Sequence, residues 1–286
     1  MESIKWPLKQ LDKLQQRFKP VAFGVAVFKK YGEDEGGRLT ALITYYGFLS
    51  LFPLLLVATT ATQLFLKNHE HIRARVVEGI GHYFPVISNH FQGNIHSLHK
   101  TGLALALGIL ITLYGARGGA DAIRYAFNQI WRVPKDTRPG FPRSILNSLS
   151  IILVGGGGLV LASVLSSYAA GLAHVFVFRL IPFIASLAIL IFAFYQVYSL
   201  GINSREPTRK DLLVSAIAAA VGVQILQLIG GYLLTHELKN LSNLYGTFAV
   251  VLGLMFWIYL QVLVLLFAAF AGAVHAKKLW PRKIIS

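Results

Sequence analysis

Apolar and polar positions fall in long blocks along this chain, and five of the blocks set its architecture. Residues 39–66, 144–178, 180–204, 212–236 and 240–276 contain no Asp, Glu, Lys or Arg. About 20 apolar residues in an α-helix cross the roughly 30 Å hydrocarbon layer of a bilayer, so each block predicts a transmembrane helix. A sixth span hides in a shorter run. Gly102–Tyr114 is apolar for only 13 residues, but the pattern continues through Gly115, Ala116, Gly118, Gly119, Ala120, Ala122 and Ile123. Arg117 and Asp121 interrupt it at i,i+4, where they share a helix face and can pair. The spans predicted are 41–65, 102–123, 145–172, 181–201, 213–235 and 247–273. The fold class that follows is all-α, an integral membrane bundle of six transmembrane helices with amphipathic interfacial helices.

The basic residues orient this bundle, because Lys and Arg collect on cytoplasmic flanks. With the N-terminus inside, the inner segments hold 21 of the 27 Lys and Arg residues and the outer segments hold 6. Both termini are therefore expected in the cytoplasm, and dropping the second span would break the alternation. The chain divides into a cytoplasmic amphipathic segment (1–38), a six-span domain (39–275, with outer loop 67–101 and inner loop 124–143) and a basic cytoplasmic tail (276–286). In the first segment, Lys5–Tyr31 mixes Lys9, Lys13, Arg17, Lys29 and Lys30 with Leu8, Leu11, Leu14, Phe18, Val21, Phe23, Val25 and Phe28. That mixture suits an interfacial helix on anionic lipid. In the outer loop, Ile72, Val76, Val77, Ile80, Tyr83 and Phe84 lie near helical spacing and predict short helices over the outer face. The first apolar block begins near Leu39 and is expected to be a retained span, not a signal peptide.

Composition narrows the chemistry. Charged residues are 14% of the chain, against about 25% in soluble domains. The absence of cysteine excludes disulfides, thiolate metal sites and cysteine nucleophiles. A net charge of +15 would suit nucleic acid. In a membrane chain it is read instead as positive flanks facing anionic headgroups, and no nucleic-acid partner is expected.

Recognisable residues then accumulate. The first span reads Ala41-Leu42-Ile43-Thr44-Tyr45-Tyr46-Gly47-Phe48-Leu49-Ser50-Leu51-Phe52-Pro53. It resembles the aromatic–Ser–x–x–Pro signature of the YihY/BrkB family of bacterial inner-membrane proteins. Tyr114-Gly115-Ala116-Arg117-Gly118-Gly119 and Ala126-Phe127-Asn128-Gln129-Ile130-Trp131 look like that family's second-span motif. Tyr245-Gly246-Thr247-Phe248-Ala249 and Trp257-Ile258-Tyr259 look like the start of its last span. The ordered set covers most of residues 30–275. Many members carry Gly-Ala-Glu late in the last span, where this chain has Phe267-Ala268-Ala269-Phe270. Together with Val251-Leu252-Gly253-Leu254-Met255, this is more similar to the YhjD-like branch. The resemblance implies six spans in the bacterial inner membrane and an association with moving lipopolysaccharide precursors. Older labels in the family include a ribonuclease and a serum-resistance factor.

The ribonuclease label can be weighed on the residues. Metal-dependent phosphodiester cleavage uses clustered carboxylates. The one acidic cluster, Glu33-Asp34-Glu35, reads as a solvated turn before the first span, and no Ser–His–Asp or Glu–x–x–His pattern stands out. Enzymatic activity, a cofactor and a metal are therefore not expected. Eight of the nine histidines fall in predicted outer segments and only His275 falls inside. His96 and His99 share a face and could bind zinc, although scattered surface histidines are the simpler account.

The remaining candidates each carry two readings. Arg117, Asp121 and Arg124 sit at the inner end of the second span, as a solvated basic rim or as a dock for lipid phosphate, with Arg117 deepest and oriented by Asp121. Tyr45, Ser50, Gln224 and Gln227 are deep polar groups, for interhelical bonding or for lining a cavity. Pro53 lacks an amide proton and frees the Leu49 carbonyl, for a structural kink or a gap between helices. Gly156 sits within Gly155–Gly158, for close helix contact or for an unwound midspan point. The function these features suggest is a non-enzymatic transporter or flippase of lipids or lipid-linked precursors. Anionic inner-face lipids would be its partners, with a homo-oligomer or an envelope protein as further candidates. The alternatives are an envelope-assembly scaffold and, third, a membrane-bound nuclease.

Overall fold

The computed structural model describes residues 18–65, 103–171, 176–245 and 248–281. These form seven α-helices: α1 Lys19–Glu33, α2 Gly36–Phe65, α3 Leu103–Ile130, α4 Arg143–Gly171, α5 Phe176–Gly201, α6 Arg209–Tyr245 and α7 Phe248–Ala276. The expected all-α class is met. Among the described residues, four segments are long and apolar enough to cross a membrane by length and composition: Arg143–Ala162, Ile181–Gly201, Arg209–Gly230 and Val251–Ala276. The other two predicted spans fall within α2 and α3, continuous helices of 30 and 28 residues. α2 runs unbroken through Pro53. The outer loop 67–101, with its predicted short helices and histidines, lies outside the described residues.

Apolar residues face the wrong way for water. On α6, Leu213, Ile217, Val221, Ile225 and Leu228 form an exposed stripe, while Ala216, Ala219, Ala220 and Val223 are buried on the other side. A soluble protein would leave that stripe as an aggregation surface. In a bilayer, large side chains meet acyl chains and small ones let helix backbones approach. Close approach is visible where a Cβ on Gly222 would lie 2.6 Å from Val264 Cγ1 and one on Gly230 would overlap the Trp257 ring.

Sequential hairpins α2–α3, α4–α5 and α6–α7 pack together, α5 joins α6, and α7 reaches back to α1 and α2. The deepest side chains are Trp131, Trp257, Tyr198, Phe127 and Phe270. Neutral polar groups knit the seams. Gly119 N donates to Ser50 Oγ (3.1 Å), and Tyr198 Oη donates to the Leu265 carbonyl (2.8 Å). Asn128 Nδ2 donates to the Gly201 carbonyl (3.2 Å), and Asn128 Oδ1 accepts from Asn203 N (2.9 Å).

The second span is read as ending at 123 before an inner loop at 124–143, and α3 continues as a helix beyond that point to Ile130. The reason is that Ala126, Phe127, Ile130 and Trp131 are buried, so the apolar face carries on past Arg124. α3 stops where Arg132 takes a left-handed φ of 52°, with Val133 N on the Asn128 carbonyl (2.8 Å) and Arg132 N on the Gln129 carbonyl (3.0 Å). This is a Schellman cap, and α7 ends the same way at Lys278 (φ 48°). Basic residues at both caps suit the negative end of the helix dipole.

One expectation is corrected, that Lys30 is among the lipid-facing lysines of the N-terminal helix. It is 3% exposed, ion-paired with Asp34, and 5.8 Å from the Phe270 ring centre. Burial lowers its pKa, and Asp34 opposes that shift. One face of α1 is docked by aromatic contacts on α7 and the segment that follows it: Phe23 on Trp280, and Tyr31 stacked on Phe267 at 4.5 Å. The glycine run follows the close-contact reading. α4 is helical through all four glycines, so the unwound alternative does not hold. A Cβ on Gly158 would overlap Ala193, and one on Gly155 would lie 3.2 Å from Val197 Cγ2.

Candidate functional site

α2, α4 and α6 begin, and α3, α5 and α7 end, at one end of the bundle. Every Lys and Arg whose side chain is described lies toward that end, with Arg117 set deepest. Two turns of α3 and the first turns of α4 carry one group of charges and hydroxyls there.

Asp121 stands at its centre. Its Oδ2 lies 2.7 Å from Arg117 Nε, and its Oδ1 lies 3.4 Å from Arg124 Nη1. Ser148 Oγ donates to the same Oδ1 at 2.5 Å. Arg124 Nη1 also donates to the Ser144 carbonyl (2.8 Å), Ser144 Oγ (2.8 Å) and Ser148 Oγ (3.0 Å). The Arg124 side chain is 8% exposed and the Arg117 side chain 25%. The predicted trio is therefore brought together, but its members differ. Arg124 is a structural strut between α3 and α4, since a buried charge is tolerated only when paired and hydrogen-bonded. Arg117 keeps partial access, with its guanidinium 5.9 Å from the ring of the exposed Tyr114. The trio carries one net positive charge.

Tyr45 is exposed beside Tyr46 on α2, with ring centres 5.3 Å apart. Ser50 is buried at the α2–α3 crossing, where a Cβ on Gly118 would come 3.3 Å from Tyr46 Cδ1. Gln224 Nε2 donates to Ser186 Oγ on α5 at 3.3 Å. Gln227 is buried, and its Nε2 has no hydrogen-bond partner among the described residues. The two glutamines thus do not act as one pair. Gly156 faces the open surface of α4 with nothing within 4 Å of a built Cβ, so it lines no site between helices. The side chain of Pro53 lies outside the described side chains.

A second polar site joins α6 to α7. Asp211 Oδ2 accepts from Thr208 N (2.8 Å) and Thr208 Oγ1 (2.6 Å), a capping arrangement at the start of α6. Its Oδ1 meets His275 Nδ1 at 2.6 Å, and His275 stacks on Trp280 with centres 5.8 Å apart. Gly272 makes room for this contact, since a Cβ there would lie 2.9 Å from the Asp211 carbonyl oxygen. The Thr208-x-x-Asp211 spacing is a readable cap signal, but nothing in the sequence tied it to His275. A third group sits at the α1–α2 turn, where Asp34 Oδ1 lies 3.3 Å from Arg132 Nη2. Among the described residues, no group of three His, Asp or Glu is placed to hold a metal ion.

The resemblance read from the motifs is borne out. Residues 27–283 match the family described as Virulence factor BrkB. The chain is 24% identical to the inner membrane protein YhjD of Escherichia coli, over 89% of this chain and 81% of that protein. It is 25% identical to a UPF0761 membrane protein of Nitrosospira multiformis, over 96% of this chain and 65% of that one. It is 24% identical to YfkH of Bacillus subtilis, named as ribonuclease-like, over 91% of this chain and 98% of that one. No solved structure matches. With such relatives and four apolar helices, the chain is a multi-pass protein of the bacterial inner membrane.

Proposed function

We propose that this chain, which belongs to the Virulence factor BrkB family, moves lipids or lipopolysaccharide-type precursors across the inner membrane without an enzymatic step. It does so as a six-span bundle with both termini in the cytoplasm. The carrying observation is the Arg117–Asp121–Arg124 group on α3, the helix read from the sequence as the second span. Ionisable residues within a span are costly and mark ligand paths. Asp121 Oδ2 faces Arg117 Nε as an ion-pair contact without a hydrogen bond between them, and the terminal guanidinium nitrogens are suited to an incoming phosphate. Asp121 then acts as the counter-ion that Arg117 keeps between ligands, and the tyrosines Tyr114, Tyr45 and Tyr46 offer amphipathic contacts nearby on α2 and α3. Anionic lipid headgroups of the cytoplasmic leaflet are the partners of this site.

A second reading, a non-catalytic envelope-assembly scaffold, is favoured by Arg124, Asn128, Tyr198 and Gln224, which all use their polar groups to join helices. Reconstitution separates the two. Purified protein in vesicles should accelerate the transfer of a fluorescent anionic lipid between leaflets, and Arg117→Ala should lower that rate while inserting normally. Transfer no faster than in empty vesicles, or a wild-type rate in the Arg117→Ala variant, would overturn the transport reading.

A further inference from the structure

Among the described residues, α1 is docked on one side only. Ala22, Ala26 and Val27 are buried, and Phe23 and Tyr31 reach Trp280, Phe267 and Phe270. The opposite side carries Phe18 (59% exposed), Val21 (51%) and Phe28 (68%), at spacings of three and seven residues that keep them on one stripe. Each of the two phenylalanines is followed in sequence by a lysine, Lys19 and Lys29. A large apolar stripe flanked by basic residues is the composition of a helix seated at a lipid interface.

The neighbouring surface says what covers that stripe. Leu252, Phe256 and Tyr259 form an exposed stripe on α7, which continues at helical spacing through the part-exposed Leu263 and Phe267. Phe28 packs on Phe267 with ring centres 4.9 Å apart. The exposed face of α1 therefore continues, without a polar break on α7, the apolar face of a helix with the length and composition of a membrane span. It also sits at the end of the bundle where the described Lys and Arg residues gather, which complements an anionic leaflet.

We propose that the Phe18–Val21–Phe28 face of α1 is seated in the cytoplasmic leaflet of an anionic bilayer, while its other face stays fixed to α7. The helix is thus a lipid-contacting strap at the inner rim, held at a depth set by the bundle. This inference is independent of the transport reading. It holds equally if the protein moves nothing.

The test uses the cysteine-free chain. Val21→Cys, Phe28→Cys and, as a loop control, Lys135→Cys are labelled with an environment-sensitive fluorophore in the full-length protein. The proteins are reconstituted into vesicles containing phosphatidylglycerol. Nitroxide-bearing lipids should quench the Val21 and Phe28 probes at least threefold more than the Lys135 probe, and aqueous iodide should show the reverse order. Val21 makes none of the aromatic contacts of Phe28, so it reports even if Phe28→Cys loosens α1. Iodide quenching of both α1 probes at the level of the Lys135 probe would overturn the proposal. Shielding of both from lipid and iodide alike, as a second copy or another protein would produce, would also overturn it.

Discussion

Neutralising Asp121 with its shape preserved tests the counter-ion role most directly. Asp121→Asn keeps an acceptor for Ser148 and for Arg124, but raises the net charge of the trio from one to two positive charges. Two unit charges about 4 Å apart interact by about 4 kcal/mol at an effective dielectric of about 20. The Arg117 and Asp121 side chains are 25% and 36% exposed, so solvent screens much of that. Pairs of this exposure are worth about 0.2–1 kcal/mol when measured. Taking about 1 kcal/mol as the hold Asp121 has on Arg117, its removal should tighten anionic lipid binding by about fivefold. Native mass spectrometry or fluorescent-lipid titration in neutral detergent reads this directly, against a zwitterionic lipid as reference. The gain should shrink as salt rises, because the freed charge is partly exposed. Transfer between leaflets should not rise in step, since a tighter headgroup is released more slowly. The counter-ion reasoning fails if Asp121→Asn binds anionic lipid no better than wild type while its melting temperature is unchanged.

Other substitutions address the frame around the site. Arg124→Ala strips a partner from Asp121, Ser144 and Ser148, and should lower stability in detergent by about 2–3 kcal/mol, below the roughly 3–5 expected for a fully buried pair in water; wild-type thermal stability would refute its role as a strut. Gly158→Val should destabilise the α4–α5 contact while Gly157→Val, on the open side, should leave the melting temperature near wild type; equal effects would contradict the close-packing account. Thr208→Ala should cost about 1 kcal/mol as a lost helix cap and loosen the Asp211–His275 contact, read by faster hydrogen exchange at the start of α6. Reporter tags on the two termini should both appear in the cytoplasm; opposite sides would refute the six-span arrangement.

The sequence made the helices readable because lipid imposes one rule on every exposed position. Charge-free blocks locate the apolar helices, and the i,i+4 offset already paired Arg117 with Asp121. What it misjudged were charges satisfied by distant partners. Arg124 looked like the end of a span, yet Ser144 and Ser148 lie 20 and 24 positions away in the chain and make its burial tolerable. Lys30 looked like a headgroup lysine until Asp34 and the Phe270 ring were seen around it. Gln224 and Gln227 are offset by about 60° around a helix with 3.6 residues per turn, enough for one to reach Ser186 while the other faces elsewhere. Asp211 and His275 are 64 positions apart, a distance over which no local pattern carries information.

The division of polar chemistry along the bundle follows from these contacts. Among the described residues, interhelical bonds in the middle of the spans are made by neutral groups, such as Ser50 with Gly119 and Gln224 with Ser186. The ion pairs among the described residues lie at one end, at Asp34, Glu35, Asp121 and Glu206. Neutral seams are individually weak, roughly 0.6 kcal/mol each in membrane interiors, so they can part and re-form with little loss. The paired charges differ among themselves: Arg124 is held firmly, because freeing it would leave a buried charge unpaired, while the more exposed Arg117–Asp121 pair is about as weak as a neutral seam. The firm point of this rim is thus the α3–α4 strut, and Arg117 beside it can exchange its partner at little cost. On the proposed lipid-carrier reading, that gives recognition of the phosphate to Arg117 and passage of the acyl chains to the neutral seams.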